Sequence, residues 1–248
     1  MKISIITVVY NNEKTINVAI NSVLGQTYKN IEYIIIDGDS KDNTVNLINE
    51  YKEKLGYFIS EPDKGIYDAM NKGITVATGD VIGILNSDDL YQDSEVIKDV
   101  AEQFNNDPEL DILYGDLVYV KRDDINEVVR NWKSKQYYNR FFEDGNVPPH
   151  PTLFVKREVY EKVGSFDLKY KLAADYELML RMLKKNSFSI KYIGRLVVKM
   201  RLGGATNESF TNIVNQNKEV LKAWNNNGLK VPIRLMPLRI IIRLLQFF

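Results

Sequence analysis

The residues with the most chemical promise stand together at Ser87-Asp88-Asp89. They follow Asp80-Val81-Ile82-Gly83-Ile84-Leu85-Asn86, an apolar run that reads as a buried strand, and a strand interior cannot hold two adjacent carboxylates without partners. The acids therefore belong at the strand's end. In an α/β sheet, ligands bind in the crevice outside the carboxyl ends of the strands, and hard carboxylate oxygens suit Mg2+ or Mn2+ bridging a diphosphate. The alternative is that Ser87 and its neighbours cap a helix, since Ser and Asp are favoured there. A further acid, Asp175, opens the stretch Ala173-Ala174-Asp175-Tyr176-Glu177-Leu178-Met179-Leu180-Arg181, in which Tyr176, Met179, Leu180 and Leu183 form a buried stripe. Asp175 lies in the first turn of that helix, where the helix dipole favours an acid whether or not it has chemistry to do.

Strand-like and helix-like stretches alternate through the first half, the pattern of a mostly parallel sheet with crossover helices. Strands are predicted over 3–9, 31–36, 57–60 and 81–85, and helices over 13–25, 44–51 and 67–77. Three of these strands end in polar residues: Tyr10-Asn11-Asn12, Asp37 to Asp42, and Ser87-Asp88-Asp89. If the strands are parallel, these ends share one edge and acids distant in sequence converge. Beyond them a helix is predicted over 93–105 and a strand over 111–120, with a bulge at Gly115-Asp116. Residues 121–149 are charged and aromatic, end in Pro148-Pro149-His150-Pro151, and read as an irregular loop over the site. A short strand at 152–155, a helix at 157–163 ended by Gly164, and closing strands at 190–193 and 196–202 complete the unit. After Asn207 the chain turns all-helical: one amphipathic helix carries Phe210, Ile213, Val214, Leu221 and Trp224, and Pro232–Phe248 is apolar and basic without an acid.

Composition narrows the chemistry. Lys+Arg and Asp+Glu both number 33 among 248 residues, so no global field favours nucleic acid. The absence of cysteine excludes disulfides and thiolate metal sites, and the single histidine, His150, excludes a His-rich zinc site. The apolar run Ile3–Val9 is too short for a spanning helix and has no small-residue cleavage site, so it reads as the first buried strand.

With these residues in hand, the chain resembles the inverting nucleotide-sugar glycosyltransferases of glycosyltransferase family 2. The resemblance runs from Met1 to about Asn207 and lies in the order of its motifs: Ser4-Ile5-Ile6-Thr7-Val8-Val9-Tyr10-Asn11, Ser22-Val23-Leu24-Gly25-Gln26-Thr27-Tyr28, Asp37-Gly38-Asp39-Ser40-Lys41-Asp42-Asn43-Thr44, Asp63 to Gly73, Ala77-Thr78-Gly79-Asp80, and Ser87-Asp88-Asp89. It implies a GT-A fold, a Rossmann-like α/β unit with a mixed, mostly parallel sheet flanked by helices, over residues 1–207, with a C-terminal helical extension over 208–248. It further implies that Val9, Asp37, Asp68, Asn71, Lys72 and Asp88 line the nucleotide-sugar site, that Asp89 holds Mn2+ or Mg2+, and that Asp175 is the general base. Asp37 would accept a hydrogen bond from a uracil-type base, and Asp88 would contact ribose or sugar. Two departures stand out: Ala174 replaces the Glu that usually precedes the base, and Gly38 stands where many relatives have a second Asp. The processive-synthase motif Gln-x-x-Arg-Trp is missing, so single-sugar transfer is expected, by a hexosyl- or N-acetylhexosaminyltransferase using a UDP-sugar.

The implied acceptor is a glycan or a polyprenyl-diphosphate-linked sugar in cell-surface polysaccharide synthesis, which places the protein in the cytoplasm or at the inner face of the cell membrane. Lys64 and Arg201 are cations that either meet the diphosphate or remain solvated. Two rival functions carry different signatures. A sugar nucleotidyltransferase would carry a Gly-rich basic N-terminal loop, which Tyr10-Asn11-Asn12-Glu13 is not, and a carbohydrate- or membrane-binding module would share the fold with a decayed site. In the tail, Arg239 and Arg243 are i, i+4 neighbours on an otherwise apolar helix, which suits an anionic membrane surface, docking on the catalytic domain, or a second subunit in a homodimer.

Overall fold

The computed structural model describes residues 1–203 and 210–246, so the expected boundary at 207, Gly204, and the terminal Phe247 and Phe248 lie outside the described residues. The first half runs β1 (Ile3–Val9), α1 (Ile16–Leu24), β2 (Ile31–Asp37), α2 (Thr44–Asn49), β3 (Tyr57–Ser60), α3 (Ile66–Val76) and β4 (Val81–Ile84). Every residue of β1 and β4 is buried, as the continuous apolar runs of a strand covered on both faces require. The second half adds β5 (Leu90–Tyr91), α4 (Val96–Asn106), β6 (Ile112–Val120), β7 (Val128–Trp132), β8 (Phe154–Lys156), α5 (Arg157–Val163), α6 (Ala174–Leu180) and β9 (Ile190–Arg201). Two C-terminal helices follow, α7 (Phe210–Asn226) and α8 (Leu235–Leu245).

The strands form one mixed sheet in the order β3-β2-β1-β4-β8-β6-β9-β5, with β7 paired to β6. β1, β2, β3, β4, β6 and β9 run one way, and β5, β7 and β8 run the other. The register Val9↔Asp37↔Ser60 and Ile6↔Ile84 brings the three polar strand ends to a common edge, the convergence anticipated from the sequence. One core lies between the sheet and α1, α2 and α4, through Ile16, Ile20, Ile48, Val96, Val100 and Phe104. The other lies beneath α3 and α5 to α8, through Met70, Val159, Tyr176, Leu180, Trp224 and Leu235. The C-terminal helices therefore share the catalytic unit's core: Val220, Ala223, Trp224 and Leu235 are buried, and the Trp224 indole donates to Tyr176 Oη at 2.9 Å.

Three expectations are corrected. Residues 121–149 are not wholly irregular, because Val128–Trp132 pairs with β6 as an edge strand. The two closing strands are one, β9, with register shifts where it passes Tyr114 to Leu117 of β6; the bulge expected at Gly115-Asp116 lies there. A two-residue strand, β5, which no sequence pattern marked, follows directly on Asp89 and pairs with β9.

Candidate active site

Hydrogen bonds stitch the loops after β1, β2 and β4 into one wall. Asn12 Nδ2 donates to Ser87 Oγ at 2.8 Å, and Thr15 Oγ1 donates to the Ser87 carbonyl at 3.0 Å. Asn11 N–H donates to Ser40 Oγ at 2.8 Å, and Lys41 N–H returns to Asn11 Oδ1 at 2.7 Å. Asn11 and Asp39 both take the left-handed conformation, at φ 46° and 66°, which their short polar side chains tolerate. Asp37, at the end of β2, is fully buried; its carboxylate accepts from Ser40 N–H at 2.9 Å, from the Ser40 hydroxyl, and from Ser60 Oγ at 2.7 Å. Val9 sits beside it in the ladder, its carbonyl accepting Gly38 N–H at 2.9 Å.

Asp88 and Asp89 lie just past the end of β4. Asp89 is completely buried, with Asn86 Nδ2 donating to Oδ2 at 3.1 Å and Arg201 N–H to Oδ1 at 3.3 Å. Burial first, and then the charge of Asp88, hold the Asp89 carboxyl well above the usual carboxylate range. Burial also raises Asp88, against the pull of Arg122 and Arg201. Arg201 is not the solvated cation that one sequence reading allowed. It is buried, and its guanidinium donates to the Asp88 carbonyl at 2.6 Å and the Arg122 carbonyl at 3.2 Å, so it braces the acidic turn from behind. This donor set fits a divalent cation. Two adjacent carboxylates repel one another, neither is ion-paired among the described residues, and Asp89 keeps an unused lone pair on each oxygen. Among the described residues no group of three or more His, Cys, Asp or Glu side chains gathers as a ready cage, so a cation's remaining ligands would be substrate oxygens and water.

Asp175 stands in the first turn of α6, and its carboxylate is not spent on capping that helix. Glu219, reaching over from α7, accepts the N–H groups of Lys171, Leu172 and Ala173 at 3.0, 2.8 and 2.9 Å. Asp175 instead receives Tyr67 Oη at 3.2 Å on Oδ1. Tyr67, in the first turn of α3, stacks on Phe166 at 5.4 Å, and the His150 ring meets Phe166 edge-on at 5.5 Å. Burial lowers the His150 pKa against the opposing pull of Asp175, so the imidazole is neutral near pH 7. Burial and then the Asp175 charge raise the Tyr67 hydroxyl well above its usual range, which keeps it a donor. Tyr119, on β6, feels the charges of both Asp89 and Asp175, after the larger effect of its own burial.

The remaining residues implied by resemblance lie on or near α3, with side chains engaged by protein. Asp68 accepts Lys64 N–H at 3.0 Å, and the Asn71 amide both donates to and accepts from the Phe166 backbone at 2.9 Å. Lys72 pairs with Glu61 at 2.7 Å and donates to the Pro62 carbonyl at 2.8 Å. Sequence reasoning passed over Tyr67, Glu219 and Asp63. Asp63 is notable because a Cβ on Gly38 would lie 2.4 Å from its Oδ2: its carboxylate fills the space that a side chain at position 38 would take. The Gly38 departure was the available signal for it.

A mixed sheet of this order, with paired acids past β4 and a separate acid on α6, defines a GT-A glycosyltransferase. The profile of the family described as "Glycosyl transferase family 2" matches residues 4–164. An uncharacterized glycosyltransferase of Mycobacterium tuberculosis is 33% identical over 184 residues, covering 72% of this chain and 68% of that protein. A Mycobacterium bovis protein named PGL/p-HBAD biosynthesis glycosyltransferase is 26% identical over 208 residues, covering 82% and 78%. Among solved structures, Staphylococcus aureus TarS in complex with UDP-GlcNAc superposes with a TM-score of 0.69 at 18% identity, over 98% of this chain and 79% of that one. A mannosyltransferase from Pyrobaculum calidifontis in complex with GDP-Man and Mn2+ gives 0.63 at 17% identity, over 97% and 73%. The chain belongs to glycosyltransferase family 2, and it is an enzyme of that family rather than a nucleotidyltransferase or a binding module.

Proposed function

We propose that the protein is a metal-dependent inverting glycosyltransferase, moving one hexosyl or N-acetylhexosaminyl unit from a UDP-sugar to a glycan or lipid-linked sugar in cell-surface polysaccharide synthesis. The observation that carries this reading is the division of labour between acids: a mutually repelling pair beyond β4, of which Asp89 is fully buried, and a separate carboxylate on α6 that caps no helix and receives the Tyr67 hydroxyl. Displacement at an anomeric carbon needs charge stabilisation at the leaving nucleoside diphosphate and a base for the acceptor hydroxyl. Asp89, with Asp88 toward ribose or sugar, would hold Mn2+ or Mg2+, which when bound neutralises charge that grows on the diphosphate. Asp175, steadied by the Tyr67 hydroxyl, takes the proton from the attacking hydroxyl, a contribution of about 10²–10⁴-fold.

On the donor side, Asp37 fixes the turn of residues 37–40 through Ser40 and Ser60, and Val9 closes its base. Asp63, beside Gly38, presents the acceptor-only carboxylate that a base with a ring N–H needs, which favours UDP-sugars over cytidine donors. Asp68, Asn71 and Lys72 hold α3 and the Phe166 loop against this wall. At the other end, α8 exposes Ile240, Ile241, Leu244 and Leu245, and Ile233 stands fully exposed just before it. No acid occurs from Leu229 onward, while Lys230, Arg234 and Arg243 do, so an anionic lipid surface at the cytoplasmic face is the occupant that matches both the greasy face and the charge. Among the described residues no helix is long and apolar enough to cross a membrane. Thermal shift against UDP-, GDP- and dTDP-sugars with Mn2+ tests the donor: a ligand at about 100 Kd stabilises by about 2.7 kcal/mol. A melt unmoved by every nucleotide sugar would refute the reading.

A further inference from the structure

Between β7 and α8 lies a cavity of about 400 Å3, within the range of about 300–1,000 Å3 usual for ligand sites. Arg130, Lys133, Lys135, Arg239 and Arg243 line it, and among the described residues no carboxylate does. Arg239 is only 7% exposed; its guanidinium lies 4.9 Å over the ring of Tyr176, and its Nε finds no hydrogen-bond partner. Arg243 donates to the neutral amide of Gln216 at 2.9 Å, and Arg130 rests over the Tyr119 ring at 4.6 Å. Among the described residues neither Arg239 nor Arg243 has an acidic partner, and holding their guanidinium groups in a partly enclosed space costs energy that rings and amides only partly return. An arginine fork matches phosphate geometry better than it matches an amide.

The cavity's place ties it to the reaction. Tyr176, whose ring lies under Arg239, is the residue after Asp175 in the first turn of α6. The basic hollow thus adjoins the turn of α6 that carries Asp175. We propose that this hollow binds a phosphate or diphosphate group carried by the acceptor, so that the acceptor's hydroxyl lies toward Asp175. The proposal rests on the glycosyltransferase reading for the word acceptor, while the anion site itself stands or falls separately.

Isothermal titration of the full chain with inorganic pyrophosphate in metal-free buffer tests the site, and a parallel titration with UDP and Mn2+ reads the donor side independently. The parent should bind pyrophosphate, and Arg243→Gln should weaken it about tenfold or more. Lys133→Gln, on the exposed rim, should also weaken it and serves if Arg243→Gln does not fold. Lys98→Gln, on the surface of α4, removes one charge elsewhere and should change nothing. Vesicles of phosphatidic acid in phosphatidylcholine separate the sources. Sedimentation that pyrophosphate competes away and Arg243→Gln weakens assigns a lipid-borne phosphate, whereas pyrophosphate binding without such sedimentation assigns a soluble one. No binding by the parent at millimolar pyrophosphate, equal binding by parent and both cavity variants, or an equal loss in Lys98→Gln would overturn the proposal.

Discussion

Asp89 and Asp175 are given different work by their partners. The sequence places Asp89 at a strand's end; in the structure it is fully buried there, because β5 follows at once and folds against β9. Replacing it with Asn keeps the shape and removes a buried charge. The sign follows from the direction of its shift: a carboxyl held above 3.8 in the fold binds its proton more tightly there, so the parent loses stability as pH climbs above that value. Metal-free Asp89→Asn is therefore expected to melt at or above the parent, by a margin that widens from pH 4 upward, while losing metal-dependent turnover. A variant that melts lower at pH 8, or that turns over normally with Mn2+, contradicts this. Gly38 supplies a second test. An aspartate there would place its Cβ against the Asp63 carboxylate and set two like charges together. Gly38→Asp should weaken UDP binding by about tenfold, at about 1.4 kcal/mol per decade, and Gly38→Asp with Asp63→Gly should regain most of it. A double variant no better than the single one would show that Asp63 is not the occupant that matters.

At the scale of elements, the parallel half was legible because its runs are long, apolar and punctuated by polar loops, and Ile3–Val9 and Val81–Ile84 lie within a residue of where their patterns end. β7 was not, since Val128 and Val129 are adjacent and both exposed on an edge strand, leaving no alternation to read. Three strand ends could be placed on one edge from sequence alone, and the structure does bring the ends that carry Asp37 and Asp89 to that edge. Tyr67 and Glu219 were not legible, because each meets its partner across a gap in sequence that no local pattern encodes: 108 residues for Tyr67 and Asp175, and 46 for Glu219 and Ala173. The hold of Glu219 on the turn before α6 makes its own prediction. Glu219→Ala leaves three backbone donors before α6 without their acceptor and should cost about 1–2 kcal/mol, seen in denaturant midpoints. An unchanged midpoint would mean that water replaces the carboxylate at no cost.

Across the whole molecule, the tail is where sequence and structure part most instructively. The i, i+4 spacing puts Arg239 and Arg243 together on an otherwise apolar helix, and the structure turns Arg239 inward onto Tyr176 and leaves Ile240, Ile241, Leu244 and Leu245 outside. Gly145 makes this possible: at φ 80°, a Cβ there would meet the Arg239 backbone nitrogen at 2.6 Å. The helix is thus docked and still greasy. Because Leu235 is fully buried in the shared core, ending the chain at Leu229 should destabilise the fold instead of merely releasing it from membranes. Ile241→Glu with Leu245→Glu is the cleaner probe: anionic liposomes at low salt should sediment the parent and not this variant, with UDP binding retained. If the variant instead turns a dimeric parent monomeric, and neither sediments, a second copy is what covers α8. The central claim, that Asp175 is the base in a single inverting displacement fuelled by a UDP-sugar, is tested most directly by following donor hydrolysis with Mn2+ by proton NMR across a panel of α-linked UDP-sugars. The account predicts that the first-formed sugar is the β anomer, and that Asp175→Asn slows its appearance by about 10²-fold or more while UDP binding is unchanged. First-formed α product, or a variant as fast as the parent, would contradict it.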